Sequence, residues 1–554
     1  MSESANIARH LPLMAARQPD HPAVKVPRGR SGGRIDYLAL SFRELDDEVN
    51  AWVARLGAKG VRRGDRVLVL VRQGLPLIAA AFALFKLGAV PVIIDPGMGR
   101  GSFLRCVERS RPRVLLGIPL AQALSHVFRR AFASVEVRVW VSGSPTARCG
   151  GAGPGKLAET APGELAAILF TSGSTGAPKG VCYEHGMFDA QVRLVRDTYG
   201  IRPGEVDLPM LPIFALFNPA LGMTTIVPEI DPSRPAAVDP AKIVQAIEQE
   251  KVTNTFGSPT LWRKIAAHCR ATQATLPALR RVLMAGAPVP PALFAEVQAL
   301  LPNGTAHSPY GATESLPLCN VAAAEIDAAA TLTGRGTCVG RPVDEIEVRI
   351  IALTDEPVAT LAGAHELPPG GIGEIVVRGP VVTKLYDALP EATAAAKIRD
   401  GDTVWHRMGD AGYLDADGRL WFVGRKAERV ETREGLLFPD QVEPIFNQHP
   451  DVRRTALVGL GERGRQRPAI VVEPRGRAVV ETPSLRRKLM RELRALAAKH
   501  PHTDRIRLAF LHPAFPVDVR HNAKIHRLTL AKWAAHHSGY ELDKREVPVG
   551  ALKR

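Results

Sequence analysis

Apolar and polar positions alternate in blocks along the first part of the chain. Three short apolar runs, at 66–71, 90–94 and 113–117, have strand character, and each precedes a segment with helical spacing. This alternation is typical of parallel sheets built from βαβ units. Ahead of the first run, Ser41 is a suitable N-cap for a helix that continues to Leu56.

The longest apolar stretch, at 75–94, contains Lys86 at its middle and a break at Gly88. These two residues divide it into shorter pieces. We predict a buried helix from about Leu77 to Leu87, followed by a strand at 90–94. A transmembrane helix is not expected, because it needs about 20 consecutive apolar residues without such interruptions.

Turn-rich segments indicate how the chain is divided. The stretch 142–163 is rich in Gly, Ala and Pro and is typical of a surface connection. Turn residues also cluster at 368–371, and the density of Lys and Arg rises after the apolar run at 420–423. No internal repeat of fixed period is visible. We predict a large body at 1–424 and a smaller basic unit at 425–554.

The composition is that of a globular protein. Of 554 residues, 45% are hydrophobic and 23% are charged, which argues against wholesale disorder. The formal net charge of +16 indicates an anionic partner. Aromatic residues are scarce at 5% and no recognition motif accompanies the charge, so nucleic-acid binding is not expected as the primary role.

The cysteines and the N-terminal residues indicate the compartment. No two of the six cysteines form a CxxC pair, which excludes a zinc knuckle and a thioredoxin-like motif. Six cysteines are also too few for a disulfide framework in a chain of this length. The N-terminal residues lack an apolar core followed by a cleavage site, so secretion is not expected. We therefore predict a cytoplasmic location.

The segment most informative about chemistry is Leu-Phe-Thr-Ser-Gly-Ser-Thr-Gly-Ala-Pro-Lys-Gly-Val at 169–181. The apolar residues at 166–170 predict a strand, and the loop after it combines hydroxyls, glycines and one lysine. Glycine lets backbone N–H groups approach an anion, hydroxyls add donors, and lysine adds charge, which suits a polyphosphate. Gly180 follows Lys179, so the spacing is not that of a Walker A loop. A Ser/Gly-rich surface loop is the alternative.

The order of residues in this loop resembles the phosphate-binding signature of the adenylate-forming superfamily, which includes acyl- and aryl-CoA synthetases, adenylation domains of peptide synthetases, and luciferases. Other segments resemble further motifs of the superfamily over nearly the whole chain. They are 41–44, 64–67, 86–91, Gly-Ala-Pro at 286–288, Tyr-Gly-Ala-Thr-Glu at 310–314, Gly-Glu-Ile-Val-Val-Arg-Gly at 373–379, Met-Gly-Asp-Ala-Gly-Tyr at 408–413 and Gly-Arg at 424–425. The resemblance implies an α/β fold. A large N-terminal body with βαβ-type mixed sheets and a small barrel would carry a small mobile C-terminal α+β domain.

The same resemblance implies that the chain binds ATP and Mg²⁺. Tyr310 would stack on adenine, Thr313 would donate to the α-phosphate, and Glu314 would hold Mg²⁺. Asp410 would accept hydrogen bonds from the ribose, and Arg425 would steady the ribose or phosphate. The implied nucleotide-binding residues are Thr171, Ser172, Gly173, Ser174, Thr175, Gly176, Lys179, Gly286, Ala287, Pro288, Tyr310, Gly311, Asp410 and Arg425, with Thr313 and Glu314 as catalytic residues. Taken singly, Asp410 also fits a turn residue and Glu314 a helix-start charge.

The C-terminal lysine motif departs from the superfamily pattern. Members usually carry Pro-x-Thr-x-x-Gly-Lys, whose lysine bridges the carboxylate and the α-phosphate. Here Lys524 lies eight residues after Pro516, and Ala523 replaces the usual glycine. We predict that Lys524 is the catalytic lysine, because its charge would neutralise the pentavalent α-phosphate. In the alternative, a cluster forms a solvated basic face: Arg520, His521, Lys524, His526 and Arg527.

A second departure concerns CoA. In CoA ligases a polar hinge residue and a Ser-Gly-Gly-like turn follow the Gly-Arg pair. Here Ala427 stands at the hinge position, and Thr432, Arg433 and Glu434 stand where Ser-Gly-Gly would be. A bulky Arg–Glu pair would obstruct the close passage of a pantetheine arm that glycine permits. CoA is therefore a doubtful acceptor.

A third departure lies at 212–219, where members often have Pro-x-Phe-His. Ala215 replaces the histidine and is flanked by Phe214 and Phe217. The loss of an imidazole frees volume and lowers polarity, which suits a bulky, branched aliphatic acid. We predict that Phe214, Ala215 and Phe217 contact the substrate. Alternatively, these residues simply pack the core.

These departures, together with the segment 517–525, resemble one branch of the superfamily, the β-lactone synthetases of bacterial olefin biosynthesis. The resemblance implies ATP-dependent adenylation of a long-chain 2-alkyl-3-hydroxyalkanoic acid, and then displacement of AMP by the substrate's own 3-hydroxyl. His307 is a candidate base for that hydroxyl only by its position. Other enzymes of the olefin pathway, or a membrane surface that delivers the hydrophobic acid, would be the partners. A long-chain fatty acyl-CoA ligase or fatty acyl-AMP ligase is the alternative function.

Overall fold

The computed structural model describes residues 4–150, 153, 155–171, 177–231, 237–517, 524–542 and 546–547. Its strands are β1 (Pro22–Ser31), β2 (Arg34–Ser41), β3 (Arg66–Leu70), β4 (Val90–Ile94), β5 (Val114–Gly117), β6 (Val137–Trp140), β7 (Leu165–Thr171), β8 (Lys179–Glu184), β9 (Val206–Pro209), β10 (Thr224–Ile226), β11 (Asn254–Gly257), β12 (Arg281–Met284), β13 (Thr305–Ala312), β14 (Ser315–Ala322), β15 (Thr337–Pro342), β16 (Glu347–Ile351), β17 (Gly373–Arg378), β18 (Lys397–Asp400), β19 (Thr403–Leu414), β20 (Leu420–Arg425), β21 (Val430–Thr432), β22 (Gly435–Leu437), β23 (Val452–Leu460), β24 (Arg467–Pro474), β25 (Leu508–Leu511), β26 (Gly539–Glu541) and β27 (Glu546–Val547).

The helices connect these strands. They are α1 (His10–Arg17), α2 (Phe42–Ala58), α3 (Leu75–Leu87), α4 (Arg100–Ser110), α5 (Pro119–Val127), α6 (His185–Tyr199), α7 (Asn218–Leu221), α8 (Pro240–Glu250), α9 (Pro259–Thr272), α10 (Pro291–Gln298), α11 (Ala328–Leu332), α12 (Pro390–Ala396), α13 (Pro439–Phe446), α14 (Arg477–Glu481), α15 (Pro483–Ala497), α16 (Pro501–Asp504) and α17 (Arg527–Ala534). Within the described ranges, none of them is both long and apolar enough to cross a bilayer.

Two sheets form the body. The first has the strand order β6-β5-β3-β4-β7-β8, with parallel pairing from β6 to β7 and an antiparallel β7–β8 pair. The second follows the order β16-β17-β19-β20-β15-β14-β13-β12-β11-β9-β10-β1-β2, with β18 beside β19. Its middle, from β13 to β1, is parallel, and the remaining pairs are antiparallel. The prediction of βαβ-type mixed sheets is therefore confirmed.

The structure closely matches the predicted N-terminal elements. The apolar stretch at 75–94 forms α3 and β4, and nearly every residue of α3 is buried. Lys86 is tolerated inside this core because its ammonium donates to Asn50 Oδ1 at 2.6 Å. Ser41 caps α2, since Ser41 Oγ accepts from the Glu44 N–H and Glu44 Oε2 accepts from the Ser41 N–H. That helix ends at Ala58, two residues beyond the predicted Leu56.

The small barrel that the resemblance implied is not closed among the described strands. Strands β16, β17, β19, β20 and β15 pair antiparallel, but their path is open and runs on through β14 into the long sheet. Closure would require β16 to pair back onto this path, whereas its described ladder partner is β17. These strands therefore form an extension of the sheet.

Residues after Arg425 form a sheet of their own, with the order β23-β24-β25-β26-β27. Its two faces carry separate cores, because successive side chains of a strand point to opposite sides. Ile470 and Val472 pack with Leu493 of α15 on one face, whereas Val471 packs with Leu530 of α17 on the other.

Candidate nucleotide- and acyl-binding site

One large cavity of about 2960 Å³ collects most of the residues predicted from the sequence. Its lining includes Lys179, Phe214, Phe217, Gly286, Ala287, Pro288, Tyr310, Gly311, Thr313, Glu314, Asp410, Arg425 and Lys524. Ala215 is not among the lining residues, because it is buried in the core behind Phe214 and Phe217. Thr171 is the last residue of β7, and the predicted positions 172–176 lie outside the described residues.

Asp410 is the centre of a polar wall in this cavity. It lies directly opposite Arg425 in the β19–β20 ladder, so their side chains share one face of the sheet. Arg425 Nη1 lies 2.7 Å from Asp410 Oδ1, and Tyr310 Oη donates to Asp410 Oδ2 at 2.6 Å. The alternative interpretation of Asp410 as a turn residue is wrong, because it is a buried strand residue.

Burial has the largest effect on the pKa values of the two acidic groups of this wall, Asp410 and Tyr310. Desolvation raises the pKa of Asp410, although the charges of Arg425 and Lys524 and the hydrogen bond from Tyr310 act to lower it. Burial also raises the pKa of Tyr310 well above its ordinary value, so the phenol remains a hydrogen-bond donor. The wall therefore offers an aromatic face, a carboxylate and a guanidinium in one place, as ribose and adenine recognition requires.

Thr313 and Glu314 form the turn between β13 and β14. Glu314 is therefore not at the start of a helix, and that alternative is wrong. Its carboxylate oxygen Oε1 accepts a hydrogen bond from Tyr386 Oη at 2.8 Å, and its backbone oxygen accepts from the Thr383 N–H at 2.9 Å. Tyr183 Oη donates to the backbone oxygen of Thr313. The turn is thus held from three sides.

Two lysines lie next to Tyr386, the residue that donates to Glu314. Lys179 Nζ is 4.7 Å from the centre of the Tyr386 ring, and Lys397 Nζ is 5.8 Å from it. Lys397 is buried and donates to the backbone oxygen of Thr383. Burial lowers the pKa of Lys397 to about 7, against the opposing effect of Glu314.

Sequence reasoning missed Tyr386, Thr383 and Lys397. They lie about 70 to 85 residues after Glu314, within no recognised motif, and reach it only through the fold. The one signal in the sequence was composition. The chain contains only seven tyrosines, and Tyr386 lies just before the start of α12, which makes it a candidate functional residue.

Lys524 lines the cavity with an exposed side chain, and its charge acts on the buried Asp410 carboxylate. The predicted basic cluster around it does not form one solvated face. Arg527 lies in the interior, 2.7 Å from Glu443 and 3.0 Å from Glu428, and these carboxylates hold its pKa above the ordinary value against the cost of burial. His526 is exposed, whereas Arg520 and His521 lie outside the described residues.

The apolar part of the cavity has two aromatic walls. On one, Phe214 stacks on Phe256 with ring centres 3.7 Å apart, next to Leu211. On the other, Phe188 lies 5.5 Å from Phe85 and 4.9 Å from Tyr183. Phe214, Phe85 and Phe188 line the cavity, so they do more than pack the core. Both walls line the same cavity of about 2960 Å³, whose size suits a bulky apolar ligand.

His307 is not among the cavity-lining residues. Its Nδ1 lies 3.2 Å from Asn320 Nδ2, and its ring packs edge-on against Tyr199. Burial lowers the pKa of His307 to about 4. This position does not support a role as the base for a substrate hydroxyl.

The segment expected to hinder CoA forms a tight hairpin of β21 and β22. Arg433 and Glu434 occupy its exposed turn, and Arg505 Nη1 donates to the backbone oxygen of Glu434 at 3.2 Å. In this chain, two bulky, charged and exposed side chains therefore occupy the positions at which a CoA ligase is expected to have small residues.

Comparison with known proteins agrees with this geometry. A family model described as AMP-binding enzyme matches residues 13–387. The olefin β-lactone synthetases of Xanthomonas campestris pv. campestris and Stenotrophomonas maltophilia are each 46% identical, over 97% and 98% of this chain and 98% and 100% of their own lengths. The solved structure of the amide bond synthetase McbA from Marinactinospora thermotolerans is 25% identical and superposes with a TM-score of 0.76, covering 96% of this chain and 100% of that one. With matches of this extent, the chain belongs to the AMP-binding enzyme family.

Proposed function

We propose that the chain adenylates a long-chain 2-alkyl-3-hydroxyalkanoic acid with ATP and then releases AMP by closing a β-lactone. The observation that carries this proposal is the continuity of one cavity, which joins the polar wall around Asp410 to the aromatic walls around Phe214 and Phe188. A nucleotide and a bulky apolar acid can therefore meet in one space. The similarity to two olefin β-lactone synthetases supports the choice of acid and product.

At the polar end, the nucleotide would bind between Tyr310 and the loop at 286–288. Gly286 has a φ of +94°, a left-handed conformation that suits glycine and exposes the backbone to a ligand. Asp410 and Arg425 would hold the ribose, and Thr313 would donate to the α-phosphate. Lys179 and the loop that precedes it would bind the outer phosphates, because hydroxyls, backbone amides and an ammonium complement a polyphosphate.

Glu314 would hold Mg²⁺. No cluster of three or more His, Cys, Asp or Glu side chains in the described part of the chain could hold a metal ion. One carboxylate that completes its shell with phosphate oxygens and water is a usual arrangement for Mg²⁺, so the donor set fits. When bound, the ion offsets charge on the polyphosphate. Tyr386 fixes the rotamer of Glu314, and the Thr383 N–H fixes its backbone.

In the first step, a carboxylate oxygen of the acid attacks the α-phosphorus of ATP and the bond to diphosphate breaks. Negative charge accumulates on the α-phosphate oxygens as this bond forms. Lys524 would neutralise that charge, which is supported by its position in the cavity lining and by the effect of its charge on Asp410. We expect Lys524 to act as a point charge, not as a proton carrier.

In the second step, the 3-hydroxyl oxygen attacks the acyl carbon of the same molecule. The bond from that carbon to AMP breaks, the hydroxyl proton passes to water, and a four-membered lactone forms. Both reacting groups belong to one bound molecule, so the step is accelerated by proximity and needs no thiol. The exposed Arg433–Glu434 turn, which would hinder a pantetheine arm, is compatible with this route.

We also propose that residues 425–554 act as a cap on the body at 1–424. The cap has its own sheet and cores, and charged contacts connect it to the body. Asp355 of the body lies 2.8 Å from Arg429 Nη2 and 2.5 Å from Arg463 Nη1, and Lys426 Nζ lies 2.9 Å from Glu374 Oε2. The Arg463–Asp355 pair is about half exposed, and an ion pair at the surface can be exchanged at low cost, as a moving cap requires, whereas the Lys426–Glu374 pair is buried. Other enzymes of an olefin pathway would supply the acid and consume the lactone.

The test is incubation of the protein with ATP, Mg²⁺ and a 2-alkyl-3-hydroxy fatty acid in the absence of CoA. We expect AMP and a lactone in equal amounts. A 3-deoxy analogue should stop at the acyl adenylate, because it lacks the internal nucleophile. Product formation that depends on added CoA, or continued turnover of the 3-deoxy acid, would instead identify an acyl-CoA ligase or acyl-AMP ligase.

The role of Lys524 has a matched control on the same segment. Lys524→Ala should abolish AMP formation while the thermal unfolding midpoint stays unchanged, because the side chain is exposed. Lys532→Ala, which removes another exposed lysine of the cap, should retain the wild-type rate. AMP formation by Lys524→Ala at the rate of Lys532→Ala would remove Lys524 from the reaction.

A further inference from the structure

Helix α5 presents its apolar side to solvent. Leu120, Leu124 and Val127 are 64%, 43% and 71% exposed, and their spacing of four and three residues places them on one side of the helix, here named the α5 face. The residues that α5 buries are small or polar: Ala121, Gln122 and Ser125. A helix that only had to pack on its sheet would bury the opposite side.

The polar side of α5 is fastened to the sheet edge by specific bonds. Gln122 Nε2 donates to the backbone oxygen of Val139 at 3.0 Å, and Ser125 Oγ accepts from Arg138 Nε at 3.5 Å, both partners lying on β6. The outward orientation of the α5 face is therefore built into the fold. Trp140 extends the apolar surface, since it is 52% exposed and pairs in register with Gly117, two residues before α5 begins.

The surroundings of the α5 face are strongly basic. The segment 100–140 contains eight arginines and two glutamates, a net charge of +6 out of the +16 of the chain. Arg129 and Arg130 follow the helix after one residue, Phe128, and are exposed, and the Arg130 side chain is 93% accessible. Exposed leucines and a tryptophan next to arginines are side chains that suit a surface for binding an anionic lipid layer.

The α5 face is also continuous with the cavity. Leu120 lines the cavity together with Ile118, Met98 and Arg72. An acid with long alkyl chains could therefore pass from a lipid layer into the cavity without crossing water, which would cost about 0.8 kcal/mol for each exposed CH₂ group.

We propose that the α5 face docks the protein on anionic lipid surfaces and that the hydrophobic acid enters there. The second half of this proposal rests on the proposed function, whereas the docking itself does not. A second copy of the chain is a poorer occupant, because a symmetric pairing would bring two equally basic segments together.

The test uses the full chain and vesicles of phosphatidylcholine, alone or mixed with phosphatidylglycerol in equal parts, with neither ATP nor acid present. The wild type should co-sediment with the anionic vesicles and not with the neutral ones, and added salt should release it. The double variant Leu124→Asp/Val127→Asp should lose about tenfold or more in its partition coefficient. Because both side chains are exposed, its unfolding midpoint should equal that of the wild type.

Leu485→Asp is the matched control. Leu485 is 41% exposed, nearly the same as Leu124, and also lies on a helix with several arginines. It therefore distinguishes binding by the α5 face from binding by any apolar residue on a basic surface. This variant should bind anionic vesicles as the wild type does. A second variant, Arg129→Glu/Arg130→Glu, should weaken vesicle binding and flatten its salt dependence.

Equal vesicle binding by Leu124→Asp/Val127→Asp and Leu485→Asp would overturn the proposal, as would no binding by the wild type or equal binding to neutral vesicles. A dimer of the wild type that the α5 variant dissociates would assign the face to a second copy instead. To test entry, AMP formation should fall in the α5 variant for acid supplied in vesicles and stay unchanged for a short-chain acid in solution. If the wild type forms no AMP with either the acid in vesicles or the short-chain acid in solution, the proposed function is refuted, but the result on vesicle binding still holds.

Discussion

Tyr386→Phe tests the support of Glu314 most directly. The substitution removes one oxygen, which donates to Glu314 Oε1 at 2.8 Å, and leaves the ring next to Lys179 in place. A hydrogen bond to a charged acceptor contributes roughly 1.5–3 kcal/mol, which corresponds to about 10- to 150-fold in rate. Glu314 is half-buried and lines the cavity, so water can replace part of the bond. We therefore expect a loss in the lower part of this interval, about 10- to 50-fold in kcat/KM for ATP.

The assay is the initial rate of AMP formation at varied ATP and Mg²⁺. If Tyr386 orients the ligand of the ion, the variant should need more Mg²⁺ for half-maximal rate as well as showing a lower kcat/KM. Tyr413→Phe is the control, since it removes the same atom from a half-buried tyrosine that does not line the cavity and whose Oη donates to the Arg335 backbone oxygen at 3.1 Å. That control should stay within about 3-fold of the wild type. A Tyr386→Phe rate equal to the Tyr413→Phe rate would refute the reasoning.

Two further predictions concern buried charges. Glu374→Gln removes the carboxylate that pairs with the guanidinium of Arg407, which is only 3% exposed. The free energy of unfolding, measured in urea, should therefore fall by about 3–5 kcal/mol. In the control, Glu366→Gln at an exposed ion pair, it should fall by less than about 1 kcal/mol. Equal losses in these two variants would contradict the assignment. Burial lowers the pKa of Lys397 to about 7 in the folded protein. Between about pH 7 and the pKa of an unfolded lysine, the unfolded chain therefore binds more protons at Lys397 than the folded protein does. Over this interval the contribution of Lys397 makes the free energy of unfolding rise with pH. The unfolding free energy of the wild type minus that of Lys397→Met should increase over this interval by up to roughly 1.4 kcal/mol per pH unit, and a difference that does not change with pH would contradict this reasoning.

Several N-terminal elements could be predicted from the sequence, because the patterns that specify them are short and contiguous. The capping pair of Ser41 and Glu44, the buried α3 and the strand β4 follow from patterns within about 20 residues. The open extension of the long sheet could not be anticipated, because strand pairing such as β15 with β20 joins residues about 80 positions apart. Nothing in the local pattern of either strand states which partner it takes.

The sequence predicted part of the candidate site and missed the rest. Motif residues such as Tyr310, Asp410 and Arg425 do meet in the cavity, and their roles stay predictions until tested. Ala215 was expected at the substrate but is buried behind its neighbours, because a short 3-10 helix at Pro212–Leu216 turns it towards the core. Tyr386 escaped notice because its contact with Glu314 arises only when a distant loop folds over the turn.

Strand β1 has a consequence for the synthesis of the chain. It pairs in parallel with β10, so that Val24 lies opposite Thr225, about 200 residues later. At a translation rate of about 5–20 residues per second, β1 and its hairpin partner β2 therefore wait roughly 10 to 40 s for that neighbour to be made. During this time the backbone edge of β1 that later pairs with β10 has no neighbouring strand. The hairpin of β1 and β2 is then open to chaperones that bind nascent chains.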